Sequence, residues 1–197
     1  MLKRVFDLCC SLVGLILLLP VFLGISIWVK LDSSGSVFFK QIRVGRYGRD
    51  FVIYKFRTMI VDAEKVGLKV TVGKDPRITT PGSFIRRNKL DELPQLLNVL
   101  LGDMSLVGPR PEVPEFMCQY SADIRDKILS VRPGITDLAS IEYTNEAEIL
   151  AAAVDPKTAY INEVMPSKAR YYLEYVENHS LILDIIIIFK TLKKIIF

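Results

Sequence analysis

Two stretches of the chain are dominated by apolar residues, one near each terminus. Residues 8–29 carry no charged side chain, and 22 such residues in a row are enough for a helix that crosses a membrane. Residues 181–197 are also apolar but are interrupted by Asp184, Lys190, Lys193 and Lys194. For this tail we predict a helix in the membrane interface, with its lysines reaching toward the head groups. A terminal helix packed into the protein core is the alternative.

Pro20 lies near the middle of the N-terminal stretch, and its ring excludes a regular helix there, so we expect a kink. Lys3 and Arg4 precede the stretch and Lys30 follows it, which fits both ends staying on the cytoplasmic side. A kinked spanning helix uses the same proline, so spanning and re-entrant arrangements both stay open. Without a small-x-small cleavage site, a secretory signal is disfavoured. Asp7 is expected to pair with Lys3, Arg4 or the following domain.

A β-hairpin and a leucine-rich helix are predicted between the two apolar stretches. Apolar and aromatic residues at 37–39 and 51–54 flank a glycine-rich loop at 45–48, which is typical of a hairpin. Farther along, leucines recur at helical spacing. Pro94 suits the first turn of that helix and Gly102 suits its end.

Shorter helices are predicted in the rest of the chain. Ser83 is the expected cap of a short helix that carries Arg86 and Arg87. Helical patterns also cover residues 61–66, 112–131, 147–154 and 166–178. The segment 132–136 contains Pro and Gly and is predicted to be a turn.

Composition narrows the classes of function. The 197 residues suffice for one domain, half of them are apolar, and the net charge is +4. A mild basic excess suits anionic phospholipids or phosphorylated substrates, whereas the absence of Lys/Arg runs argues against nucleic acid. Cys9, Cys10 and Cys118 form no disulfide framework, which is typical of a reduced compartment. His179, the one histidine, cannot form a metal site by itself.

Asp91 and Glu92 stand side by side at the predicted start of the leucine-rich helix. Acidic residues are common there because they complement the helix dipole, so a capping role is one interpretation. The other is an aspartate nucleophile that attacks phosphorus and gives an acyl phosphate. On this hypothesis the helix N-terminus lowers the pKa of Asp91 and keeps it ionised. Mg²⁺ and arginines then neutralise the anionic phosphate.

Basic residues that suit a phosphate are close in the sequence. Arg86 and Arg87 come shortly before the acidic pair, and Arg110 is held between two prolines, which limits where its side chain can go. A guanidinium binds phosphate oxygens in a bidentate manner. Lys55 and Arg57, at the end of the hairpin, add positive charge. An ordinary basic surface is the alternative interpretation for each of these residues.

These residues fall in motifs that resemble the bacterial sugar transferase family, the small monotopic phosphoglycosyl transferases that act on a polyprenyl phosphate. The matching motifs occur in the family's order and are KFRTM (55–59), DPRIT (75–79), LDELPQLLNV (90–99), GDMSLVGPRP (102–111) and RPGIT (132–136). One departure lies near Thr144, where many members carry an arginine implicated in contact with the nucleotide sugar.

The resemblance implies a site and a mechanism. Asp91 and Glu92 would be the catalytic dyad and would hold Mg²⁺, and Asp91 would attack the β-phosphate of a UDP-sugar and release UMP. Undecaprenyl (polyprenyl) phosphate would then take the phosphosugar from the enzyme. Arg86 and Arg110 match phosphate-contacting positions of the family, and Pro20 would be the break of a re-entrant helix.

We therefore expect a mainly α fold with a small β-hairpin, a re-entrant N-terminal membrane helix and interfacial amphipathic helices. The expected units are a membrane helix-break-helix (1–30), a cytoplasmic catalytic domain (31–180) and an interfacial helix (181–197). The expected location is the cytoplasmic face of the bacterial inner membrane, in contact with phospholipids. A direct single-step transferase and a non-catalytic membrane adaptor are the alternatives.

Overall fold

The computed structural model describes residues 1–63, 75–143 and 146–196. Its helices are α1 (Leu2–Leu17), α2 (Leu19–Asp32), α3 (Thr80–Arg87), α4 (Gln95–Leu101), α5 (Pro114–Met117), α6 (Ala122–Ile128), α7 (Leu138–Glu142), α8 (Glu146–Ala152), α9 (Pro156–Ala159), α10 (Met165–Asn178) and α11 (Leu181–Ile196). Its strands are β1 (Phe38–Val44), β2 (Asp50–Phe56), β3 (Ser105–Val107) and β4 (Gly134–Thr136). The expectation of a mainly helical fold with a small hairpin is confirmed.

Strands β1 and β2 form the predicted hairpin. They pair antiparallel from Phe38 opposite Phe56 to Val44 opposite Asp50. Alternation along β2 buries one face of the strand, as expected for a two-sided ribbon. That face packs against α4, which places the end of the hairpin beside the start of this helix.

Strands β3 and β4 form a second, parallel pair that the sequence did not predict. The segment 132–136 is therefore not simply a turn, because its second half is β4. The backbones approach so closely that a Cβ on Gly134 would lie 2.1 Å from the nitrogen of Gly108. Any larger residue at 134 would push the two strands apart.

The helices after β3 pack into the main apolar core. Buried side chains of this core include Phe116, Ile128, Leu150, Val164 and Tyr172. The predicted single helix at 112–131 is wrong, since the chain forms two short helices, α5 and α6, separated by a turn. The helices predicted at 147–154 and 166–178 are confirmed, with small shifts in their ends. Of the segment 61–66, residues 64–66 lie outside the described residues.

The N-terminal helices α1 and α2 meet at the expected kink, with a bend of 60°. Pro20 occupies the first turn of α2, where its missing N–H group costs no helical hydrogen bond. Among the described residues no single helix is long and apolar enough to span a membrane. Taken together, the bent pair α1 and α2 has the length and apolar composition that a span requires.

The outer end of α1 is attached to the rest of the protein. At the start of α1, Arg4 donates to the carbonyl of Val99 at the end of α4 at 2.7 Å. Asp7 does not pair with Lys3 or Arg4 but accepts from Ser105 of β3 at 2.9 Å. Of the partners expected for Asp7, the structure therefore shows the one in the following domain.

The C-terminal tail forms the single helix α11, which contacts β3, β4 and α7. Asp184 and Ile187 are fully buried against the body of the protein, which agrees in part with the core-packing alternative. The opposite side of α11 exposes large apolar side chains, namely Ile182, Ile185, Ile186, Phe189 and Leu192. The helix is thus anchored by one side and leaves an apolar surface on the other.

Candidate active site

Asp91 and Glu92 lie on a short 3₁₀ turn, Leu90–Glu92, between α3 and α4. Helix α4 starts only at Gln95, so the two acids precede the helix and do not form its first turn. Lys89 adopts a left-handed conformation with φ of 55°, which reverses the chain after α3 and presents the acidic pair. The predicted cap of α3 is also corrected, because Thr79 and not Ser83 accepts the capping hydrogen bond, from Gly82 at 3.1 Å.

Glu92 is held by two cations. Lys55 Nζ lies 2.7 Å from its Oε1, and Arg110 binds both carboxylate oxygens, with Nη1 3.1 Å from Oε2 and Nη2 on Oε1. Burial acts to raise the pKa of Glu92, but Arg110 and Lys55 outweigh it and hold that pKa well below its ordinary value. The same ion pair raises the pKa of Arg110. Glu92 is therefore a fixed anion that gathers positive charge.

Asp91 has a different environment. In the described part of the chain its carboxylate accepts no hydrogen bond and forms no ion pair, although Lys55, Arg86 and Arg110 act on it through space. Burial, and next the negative charge of Glu92, raise its pKa. The expectation that a helix N-terminus lowers this pKa is wrong, because no helix of useful length begins at Asp91. An unpaired and more basic carboxylate suits a nucleophile.

The hairpin and α4 bring the distant parts of the site together through Asn98. This buried side chain donates to the carbonyl of Val52 at 2.7 Å and accepts from the amide of Tyr54 at 3.0 Å. It thereby fixes α4 against β2, one residue from Lys55. Sequence reasoning missed Asn98, and the only available signal was an amide among leucines on an otherwise apolar helix.

Arg110 is also positioned by the chain around it. It follows β3 between Pro109 and Pro111, and Arg43 of β1 donates to the carbonyl of Pro111 at 2.9 Å. Burial, and next the charge of Arg110, lower the pKa of Arg43. Arg43 was not among the predicted site residues, since its distance in sequence gives no hint of this contact.

Arg86 and Arg57, which were also predicted to bind phosphate, have no described contact with Glu92 of the kind that Arg110 makes. Arg86, half-buried in the last turn of α3, acts electrostatically on Asp91. Arg57 is buried and donates to backbone carbonyls at the end of α2, including Ser34 at 2.6 Å and Ser33 at 2.8 Å. Its described hydrogen bonds thus hold the C-terminal end of α2 rather than the acidic pair. A phosphate contact of Arg57 stays a prediction.

The carboxylates fit a magnesium ion of the kind that is shared with a substrate. Mg²⁺ is commonly held by one or two carboxylates together with phosphate oxygens and water. Among the described residues no group binds the carboxylate oxygens of Asp91, and Glu92 is adjacent. The described residues contain no cluster of three or more acidic, histidine or cysteine ligands, so a site made by protein groups alone is not indicated in these ranges.

Comparisons with known proteins agree with the motifs. The sequence model of the family described as bacterial sugar transferase matches residues 1–197. The chain is 38% identical over 196 residues to an Aeromonas hydrophila UDP-N-acetylgalactosamine-undecaprenyl-phosphate N-acetylgalactosaminephosphotransferase, covering 98% of this chain and 43% of the relative. It is 39% identical over 198 residues to the Escherichia coli K12 UDP-glucose:undecaprenyl-phosphate glucose-1-phosphate transferase, covering 98% and 40%.

A third relative is of similar length. The Rhizobium leguminosarum bv. phaseoli exopolysaccharide production protein PSS is 40% identical over 209 residues, covering 96% of this chain and 92% of the relative. The chain thus spans less than half of the first two relatives and almost all of the third. On its motifs and on the match over its whole length, the chain belongs to the bacterial sugar transferase family.

Proposed function

We propose that this protein is an enzyme that transfers a sugar 1-phosphate from a UDP-sugar to undecaprenyl phosphate and releases UMP. The observation that carries the proposal is the contrast between two adjacent carboxylates. Glu92 is neutralised by Lys55 and Arg110, whereas Asp91 is unpaired in the described structure. The names of the relatives support the lipid acceptor and the sugar phosphate donor.

In the first step an oxygen of Asp91 attacks the β-phosphorus of the UDP-sugar. A bond forms between that oxygen and the phosphorus, and the bond from the β-phosphorus to the bridging oxygen breaks. The electron pair leaves with UMP, and the sugar phosphate remains on Asp91. Lys55 and Arg110 stand where they can share their charge between Glu92 and the phosphate oxygens.

In the second step a phosphate oxygen of undecaprenyl phosphate attacks the same phosphorus. The bond to Asp91 breaks, the carboxylate is regenerated, and the product is an undecaprenyl diphosphosugar. No net proton transfer is needed in either step. Mg²⁺ held by Asp91, Glu92 and phosphate oxygens would supply further charge neutralisation.

The N-terminal bent pair is proposed to enter and leave the membrane on the cytoplasmic face. This is supported by the attachment of both of its outer ends to one folded body, through Arg4 on α4 and through Arg57 at the end of α2. A spanning helix would place these ends on opposite faces of the bilayer. A re-entrant helix brings the lipid phosphate and the soluble nucleotide sugar to the same surface, which removes much of the entropy cost of their encounter.

The test is transfer of a radiolabelled sugar phosphate to undecaprenyl phosphate in liposomes, with a panel of UDP-sugars and Mg²⁺. Asp91→Asn should reduce transfer at least about a thousandfold, because an amide is a poor nucleophile. Asp126→Asn, at a carboxylate whose side chain is 75% exposed on α6, is the matched control and should retain full activity. Activity retained in Asp91→Asn would contradict the proposal.

A further inference from the structure

The first helix presents a buried carboxylate to strand β3. The side chain of Asp7 is only 2% exposed. One of its oxygens accepts from Ser105 Oγ at 2.9 Å and the other from the amide of Leu106 at 3.2 Å. A carboxylate is costly to bury unless its oxygens are hydrogen-bonded, so this pair of contacts fixes the position of β3 relative to α1.

A second contact from α1 reaches the next residue of the same strand. Lys3 Nζ donates to the carbonyl of Val107 at 3.2 Å and pairs with Asp184 of α11 at 2.5 Å. The hydroxyl of Tyr175 donates to the same carbonyl at 3.0 Å and lies 2.7 Å from Asp184. The hydrogen bonds of Asp7 and Lys3 therefore reach all three residues of β3, and Tyr175 adds a second bond to the Val107 carbonyl.

The end of β3 is connected rigidly to Arg110. The amide of Gly108 donates to Thr136 of β4 at 3.1 Å, and the carbonyl of Pro109 accepts from Gly134 at 3.0 Å. A Cβ on Gly108 would come within 2.3 Å of the backbone oxygen of Arg132, so this segment packs directly, backbone against backbone, on the residues before β4. A displacement of β3 must therefore move Arg110.

We propose that Asp7 and Lys3 are positioning residues for Arg110, so that the docking of the membrane helix α1 sets the geometry of the phosphate-binding arginine. The inference rests on the proposed function, because it assigns these residues to the same reaction. It gives the polar side of α1 a role beyond attachment. Arg4 donates to the carbonyls of Val99 and Leu100 on α4 and has no described hydrogen bond to β3, so we assign it to attachment alone.

A double-mutant cycle tests the proposal, read as the rate of sugar phosphate adduct formation on the enzyme at saturating donor. Asp7→Asn should slow this rate about tenfold in the native background, since small displacements of a binding group are expensive in catalysis. In an Arg110→Gln background the same change should cost less than about twofold, because the group that it positions is already gone. In an Arg86→Gln background the tenfold cost should persist.

Equal costs of Asp7→Asn in the native and Arg110→Gln backgrounds would overturn the proposal. If Asp7→Asn fails to fold, Ser105→Ala replaces it, because this change removes one hydrogen bond and leaves the contact to the Leu106 amide. It should give the same non-additivity with Arg110→Gln at a cost of about threefold. Additive effects in that pair would also overturn the proposal.

A second measurement separates this inference from the proposed function. Amide exchange in a peptide covering residues 104–112 should accelerate about tenfold in Asp7→Asn and less than about threefold in Arg4→Met. This readout does not depend on turnover. A protein without any adduct would contradict the proposed function alone, whereas unchanged exchange in Asp7→Asn would contradict the positioning role alone.

Discussion

Asp91 and Glu92 differ because of the residues that surround each of them. Glu92 contacts Lys55 and Arg110 directly, whereas Asp91 faces the same cations through space. Burial raises the pKa of Asp91 and lowers that of Lys55. The chemistry proposed for the pair therefore needs Asp91 ionised and Lys55 protonated at the same time.

These two shifts predict a bell-shaped pH profile for the first half-reaction. The rate should fall as pH drops through the pKa of Asp91, at a pH above the ordinary aspartate value of about 3.9. It should fall again as pH rises through the lowered pKa of Lys55. Lys55→Arg keeps its charge and should remove the alkaline limb. The rate of UMP release, measured as a function of pH, reports both limbs, and Lys190→Arg is the control. An alkaline limb retained in Lys55→Arg would contradict the assignment of that limb to Lys55.

Glu92→Gln should lower the free energy of unfolding at neutral pH by about 1–3 kcal/mol, because it leaves two cations without their counter-charge. The pKa of Glu92 is lower in the folded state, so its stabilisation is present above the ordinary glutamate pKa and is lost as pH falls through the folded value. The difference in the free energy of unfolding between the native protein and the variant should therefore shrink as pH falls. Denaturant unfolding in detergent at several pH values measures it, and a constant difference would be inconsistent with this ion pair.

At the level of single residues, the motifs indicated which residues lie together more readily than the contacts that each one makes. Asp91, Glu92 and Arg110 fall in local motifs, and the structure brings Lys55 and Arg110 onto Glu92. Arg57 lies in a motif too, but its partners are the carbonyls at the end of α2, more than twenty residues away in sequence. Such a contact depends on how the end of α2 lies against the hairpin, which no local pattern encodes.

Among the elements, α2 depends on Arg57 for its attachment at the C-terminal end. Arg57 donates to the carbonyls of Val29, Ser33 and Ser34. The Val29 carbonyl also accepts from the amide of Ser33, whereas Ser33 and Ser34 follow the last residue of α2. The ring of Phe22 and the side chains of Ile25 and Val29 also pack near the end of the hairpin. The helix is therefore fixed by one buried cation and a small apolar cluster.

Arg57→Met should loosen the end of α2 without changing the acidic pair. Exchange of amides at residues 29–36 should accelerate about tenfold or more, since several carbonyls lose a charged donor. The KM for the UDP-sugar should change less than about twofold. Arg125→Met, on exposed α6, is the control. A large rise in this KM with unchanged exchange would instead establish the predicted phosphate contact.

Long periodic elements were predictable, and short ones were not. The hairpin and the helices α8 and α10 follow clear patterns and are confirmed. Strands β3 and β4 contain three residues each, which is too short for an alternation to be recognised. Their pairing comes from close backbone approach at Gly108 and Gly134, a tertiary effect.

On the scale of the whole molecule, exposed apolar side chains are concentrated on α1, α2 and α11. Leu12, Ile16, Leu17 and Leu23 are more than half exposed on the bent pair, and Phe189 is 68% exposed on α11. Contiguous apolar surface of this kind is uncommon on soluble monomers and marks a contact with membrane or protein. The proposed membrane association explains why all three helices carry it.

The re-entrant arrangement predicts that both ends of the bent pair are accessible from the same face. In a background without Cys9, Cys10 and Cys118, cysteines introduced as Leu2→Cys and Leu31→Cys should both react with a membrane-impermeant maleimide in inverted vesicles. Neither should react in intact spheroplasts, because the proposed re-entrant arrangement places both positions on the cytoplasmic face. The two positions are 71% and 81% exposed, so poor access within the protein does not limit labelling. Labelling from opposite faces would show a spanning helix.

In the proposed mechanism Asp91 carries the sugar phosphate between donor and lipid. Intact-protein mass spectrometry after incubation with Mg²⁺ and a panel of UDP-sugars, without lipid acceptor, tests it most directly. The two-step mechanism predicts a mass increase of one sugar phosphate that is absent in Asp91→Asn and disappears when undecaprenyl phosphate is added. An enzyme that releases UMP only when the lipid is present, and that never shows the adduct, would contradict the two-step mechanism.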